Sequence, residues 1–195
     1  MTTALDHPLL PIMRWERRGP AMLTGESGTF LTAHSWIAHL ALTGCRVHVV
    51  DCAMRFNVFA LADFAAERDV NPDLLLSAVT VHRVFTPYHI LESAKQILRG
   101  QDPGQLTFFL APLKQFFDAD VAEDEGRFLL DLFHRKIRLL ASQSLPLLLV
   151  EKSGYSHPSF DFIYPKICRD VTPLWRVAPP LPSVPPLLEE RTGEI

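Results

Sequence analysis

Short apolar runs without polar alternation recur along this chain, and they restrict its architecture more than any other feature. The clearest are Arg46–Asp51, Leu106–Ala111 and Pro146–Glu151, the last almost wholly leucine and valine. A strand with one wet face alternates apolar and polar residues; a strand that does not is covered on both faces, as in a parallel sheet. Further strands are expected at 21–24, 78–83 and 173–177. Between them the spacing predicts helices over 30–42, 58–68, 87–99, 123–142 and 160–168, the fourth with Phe128, Leu129, Leu132, Phe133, Ile137 and Leu140 recurring every three or four residues. The Asn71-Pro72 pair reads as a turn that ends the second helix. Alternating strand and helix predicts an α/β fold, a mostly parallel central sheet flanked by helices.

The chain has 195 residues, enough for one well-cored domain and short for two. Residues 1–19 read as an N-terminal arm carrying Arg14, Trp15, Arg17 and Arg18, residues 20–178 as the domain, and residues 179–195 as a proline-rich tail expected to be disordered. A net charge of −3 gives no global attraction to nucleic acid or to anionic membrane, so any DNA contact is expected to be local and weak. Cys45, Cys52 and Cys168 lack the spacing of a zinc site or disulfide framework and are expected to be buried free thiols. With no long apolar span and no basic-apolar leader at its start, the chain is expected to be cytoplasmic.

Between the first strand and first helix lies Thr24-Gly25-Glu26-Ser27-Gly28-Thr29-Phe30-Leu31-Thr32. Its frame is that of a phosphate-binding P-loop, in which glycines let backbone amides cradle phosphates, a lysine reaches the β/γ-phosphates and a final hydroxyl holds Mg²⁺. Gly25 and Thr32 fit the spacing. The second glycine is replaced by Phe30 and the lysine by Leu31, so the loop lacks the charge that phosphate needs. Gly25, Glu26, Ser27, Gly28, Thr29, Thr32 and Asp51 are therefore expected to mark a vestigial nucleotide site, an anion nest at most, with no bound ATP or Mg²⁺ and no metal.

The run Arg46-Val-His-Val-Val-Asp51-Cys-Ala-Met-Arg-Phe56, then Asp69–Asp73, Val79–Tyr88, Phe116-Phe117-Asp118 and Leu147–Val150, resembles the RecA superfamily core over residues 20–178. The resemblance implies a RecA-like P-loop fold. It also implies losses: the acidic residue two places beyond Asp51 that polarises water in family ATPases is Ala53, and the strand expected to end in a Walker B carboxylate ends in Ala111. Phosphoryl transfer relies on positioning and electrostatic stabilisation, so the expectation is a pseudo-ATPase. By the same resemblance it would act as an assembly or regulatory subunit, through self-association or a RecA-like partner, in DNA recombination or repair.

A Rossmann-like, NAD-dependent reading competes for Gly25, Gly28 and Asp51, but the third glycine and any Tyr-x-x-x-Lys pair are missing. His34 and His39 are too poorly aligned on one helix to suggest a metal. Phe30-x-x-Ala33 and Phe59-x-x-Ala62 resemble the aromatic-alanine motif by which recombinase subunits dock, although both are expected to pack in the core. Arg135, Lys136 and Arg138 form a basic patch read as a solvated helix face, the alternative being a phosphate contact.

Overall fold

A computed structural model describes residues 2–4, 9–100, 102 and 104–178. The expected tail, residues 179–195, lies outside the described residues. Strands β1 (Thr2–Ala4), β2 (Pro20–Gly25), β3 (Arg46–Asp51), β4 (Val79–Arg83), β5 (Gln105–Leu110), β6 (Leu147–Lys152) and β7 (Leu174–Arg176) form one sheet in the order β1-β7-β2-β6-β5-β3-β4. Every neighbouring pair is parallel. The helices are α1 (Leu10–Arg14), α2 (Thr29–Leu42), α3 (Val58–Ala66), α4 (Pro72–Ser77), α5 (Pro87–Arg99), α6 (Glu123–Ser142) and α7 (Pro158–Asp170), with a 3-10 turn at Lys114–Phe117.

Alternation along each strand sorts the core into two layers, because successive side chains point to opposite faces. Ala21, Leu23, Val47, Val49, Leu106, Phe108, Leu148 and Val150 face the layer of α1 to α4. Met22, Val50, Phe109, Leu147 and Leu149 face the layer of α5, α6 and α7. This double cover is what the unalternated apolar runs require.

Three sequence expectations change. First, the Asn71-Pro72 pair opens α4: Asn71 accepts from the Asp73 amide at 2.9 Å and Pro72 occupies the first turn, the cap and position that suit a helix start as well as a turn. Second, the segment before residue 20 contributes to the domain. Its β1 pairs with β7, and Ile12 and Trp15 are buried, Trp15 lying edge-on to Trp175 at 6.0 Å. Third, Phe59 is 73% exposed instead of packing in the core, whereas Phe30 is half-buried against it. None of the helices among the described residues is long and apolar enough to cross a membrane.

Candidate functional site

All seven strands run the same way, so their carboxyl ends share one rim, where open α/β sheets place ligands. On that rim the Gly25–Gly28 loop leaves β2. Gly28 adopts φ +72°, the left-handed conformation that glycine tolerates best, and turns the chain into α2. A Cβ at Gly25 would stand 2.9 Å from the Val177 carbonyl oxygen and 2.9 Å from Thr29 Oγ1. Gly25 is thus required by the close passage of the segment after β7, whose Val177 amide donates to the Thr24 carbonyl at 2.8 Å. No side chain caps the first turn of α2, and Thr29 Oγ1 is buried without a hydrogen-bond partner.

Glu26, Ser27 and Gly28 are exposed, and Thr32 is half-exposed one turn into α2. Leu31, at the lysine position of the P-loop frame, is 66% exposed. Beside it the half-buried Phe30 ring lies 5.4 Å from the Arg55 guanidinium carbon. Arg55 Nε is buried with no hydrogen-bond partner.

Asp51 closes β3 and is fully buried. Its Oδ1 accepts from the Arg55 amide at 2.7 Å and its Oδ2 from the Phe56 amide at 3.2 Å; Arg83 Nε stands 3.8 Å away on β4. The carboxylate therefore holds the turn that leads into α3. His34 supports the same turn from α2. Its Nε2 accepts from the Asn57 amide at 2.8 Å, which requires its Nδ1 to carry the proton donated to the Phe30 carbonyl. Burial lowers the His34 pKa and keeps the ring neutral, opposed by the Phe30 bond and the Asp51 charge.

Ala53 and Ala111 stand where the resemblance expects carboxylates. Ala111 is fully buried with φ +51°, its amide bonded to the Val150 carbonyl at 2.8 Å. The carboxylate on this part of the rim comes instead from Glu151 on β6, level with Thr24 of β2. Glu151 is fully buried and accepts from the Leu113 amide at 2.8 Å, the Lys152 amide at 2.9 Å and Tyr155 Oη at 2.8 Å. Burial pushes its pKa up to about 7, with those donors and the Arg55 charge pulling the other way. Tyr155 is raised in turn by burial and by its carboxylate partner.

The structure places Gly25, Glu26, Ser27, Gly28, Thr29 and Thr32 at the end of β2 and Asp51 at the end of β3, on the same rim but with β6 and β5 between them, and that rim also carries Arg55, His34, Glu151 and Tyr155. Glu151 carried a legible sign, a lone acid closing a run of leucine and valine. Arg55 carried none, since only its fold neighbours reveal a cation with a buried, unpaired nitrogen. Among the described residues, no group of three or more His, Cys, Asp or Glu side chains could hold a metal ion.

The fold and rim define a parallel α/β protein with a glycine loop feeding a helix, the general form of Rossmann-like and P-loop-like proteins. No protein-family model matches the sequence, and no curated protein matches it.

Proposed function

We propose that this chain is a RecA-like protein that does not turn over ATP and that acts by assembly, with itself or with an active RecA-like protein, in DNA recombination or repair. The observation that carries the reading is the charge at the rim. Phe30, Leu31, Ala53 and Ala111 occupy the positions that phosphoryl transfer needs charged or small. The carboxylates that close β3 and β6, Asp51 and Glu151, are fully buried and bound to backbone amides, and Glu26 on the loop adds negative charge where phosphate needs positive. Carboxylates so buried and bonded are committed to the backbone turns they hold, not presented to a water or a Mg²⁺ ion. What remains is a scaffold with an uncapped helix start able to attract an anion.

Strand order favours this reading over the dinucleotide one. In dinucleotide-binding folds the strand before the glycine loop and the strand ending in the ribose-binding acid are neighbours. Here β6 and β5 lie between β2, which precedes the loop, and β3, which ends in Asp51. The DNA and assembly roles rest on the sequence resemblance alone.

One series tests the reading. Titration calorimetry with ATP, NAD and inorganic phosphate is expected to show no tight nucleotide binding, and a turnover assay with Mg²⁺ to show no hydrolysis above blank. Co-purification with a RecA-like protein, or concentration-dependent self-association, is the expected positive result. Turnover abolished by Thr32→Ala or Asp51→Asn would overturn the inactive assignment. A strictly monomeric chain with no salt-dependent DNA binding and no partner would leave only the fold.

A further inference from the structure

Phe59, the most exposed phenylalanine among the described residues, lies in a groove beside edge strand β4. Phe56, Asn57, Val58, Phe59, Val81 and Arg83 line this groove, of about 580 Å³. Phe59 is 73% exposed, Val58 42% and Val81 37%. The Arg83 side chain is 49% exposed, and among the described residues its ion pair is the long 3.8 Å contact to Asp51. The groove therefore offers aromatic and branched apolar surface with a cation at one end, a combination suited to an apolar segment followed by acid.

The chain carries such a segment outside the described residues: Pro185-Pro186-Leu187-Leu188-Glu189-Glu190, preceded by Pro179-Pro180-Leu181-Pro182. Ala178 follows β7 at the carboxyl rim, and Arg83, which lines the groove, closes β4 at the same rim. From β7 to β4 the sheet takes five strand steps, about 24 Å at ~4.8 Å each. Extended proline-rich chain covers ~3.1 Å per residue, so eight residue steps, the number from 178 to 186, reach about 25 Å. Chain of that length is long enough to bring Leu187 and Leu188 to Phe59 and Val81, and Glu189 and Glu190 to Arg83. Proline-rich chain has little conformational entropy left to lose on docking into an aromatic groove.

We propose that this groove is the docking site of the chain's own Pro185–Glu190 segment, with residues 179–184 crossing the carboxyl rim. Docking covers Phe59 in the free protein, and any partner using that face has to displace the segment.

The experiment compares the full chain, a chain ending at Ala178, and a full-length Leu187→Glu/Leu188→Glu variant by hydroxyl-radical footprinting, each shown by circular dichroism to unfold cooperatively. Phe59 is expected to be labelled at least five-fold more slowly in the full chain than in the other two, independent of protein concentration. A synthetic 183–195 peptide is expected to bind the shortened chain saturably, and at least ten-fold more weakly after Arg83→Glu. Equal Phe59 labelling in all three proteins overturns the proposal. So does protection that appears only at high concentration and survives in the shortened chain, which would assign the groove to a second copy. Neither result bears on ATP turnover, so the docking claim and the proposed function fail separately.

Discussion

Glu151 and His34 are both buried at the carboxyl rim, and they make stability depend on pH in opposite directions. The folded pKa of Glu151 is raised to about 7. The folded state therefore holds a proton that the unfolded chain releases above its ordinary carboxyl range. The resulting stability is fully present below about pH 4.5 and is lost as pH rises through 7, a change of about 3 kcal/mol. His34 is lowered by burial, so its contribution is present above about pH 6.5 and is lost as pH falls through its folded value. Denaturant melts from pH 4 to 8 are expected to show a partly cancelled profile in the native protein. Glu151→Gln removes the first contribution: relative to native, the variant gains stability as pH rises from 4.5 to 7 and keeps only an acid limb. A variant whose profile runs parallel to native would show that Glu151 does not change its proton across this range. His34→Ala leaves the Asn57 amide without its acceptor, while the Phe30 carbonyl stays within the α2 ladder, and is expected to cost about 1–3 kcal/mol at pH 7.5.

At the scale of elements, α6 contains a glycine that helix propensity disfavours. Exchanging glycine for alanine inside an exposed helix normally stabilises by about 1 kcal/mol. At Gly126 a Cβ would stand 2.1 Å from the Phe116 carbonyl oxygen, because the turn at Lys114–Phe117 passes directly against the helix. That oxygen belongs to backbone and cannot swing aside. Gly126→Ala is therefore expected to destabilise by more than about 2 kcal/mol, read as a lower denaturant midpoint; a stabilised variant would contradict the close approach. The same kind of contact explains which elements the sequence made readable. The long helix α6 and the doubly buried strands follow from periodicity and composition, which are local. Helix α4 was hidden because Asn71-Pro72 serves equally as a turn or a helix start, and only the Asp73 amide donating to Asn71 distinguishes them. Phe59 was misplaced for a related reason: periodicity assigns an apolar residue to a helix face, whereas exposure depends on whether another element covers that face.

For the whole molecule, two helical layers share one sheet; β1 extends that sheet, and Leu9, Ile12 and Trp15 pack into the layer of α1 to α4. The candidate site was legible as a loop and Asp51, but not as an assembled rim, because Arg55, Glu151 and Tyr155 meet only through strand order. The N-terminal segment was likewise unreadable from its mixture of proline and arginine. Its importance lies in packing across the sheet edge, where Trp175 lies edge-on to both Trp15 at 6.0 Å and Trp36 at 5.0 Å. Trp15 comes from the N-terminal segment, Trp36 from α2 and Trp175 from β7, so this contact joins three distant parts of the chain. Trp15→Ala removes a large buried side chain and is expected to cost about 3–5 kcal/mol. Because the loss falls on a core continuous with α2 and the sheet, tryptophan fluorescence and far-ultraviolet circular dichroism are expected to report the same, lowered unfolding midpoint. Two separate transitions, with fluorescence lost first and the dichroism midpoint unchanged, would instead make residues 9–19 an independent appendage. In that case deleting them would be a clean test of partner binding; with coincident transitions, charge reversals at the exposed Arg14, Arg17 and Arg18 are the appropriate probes, since they leave Ile12 and Trp15 in place.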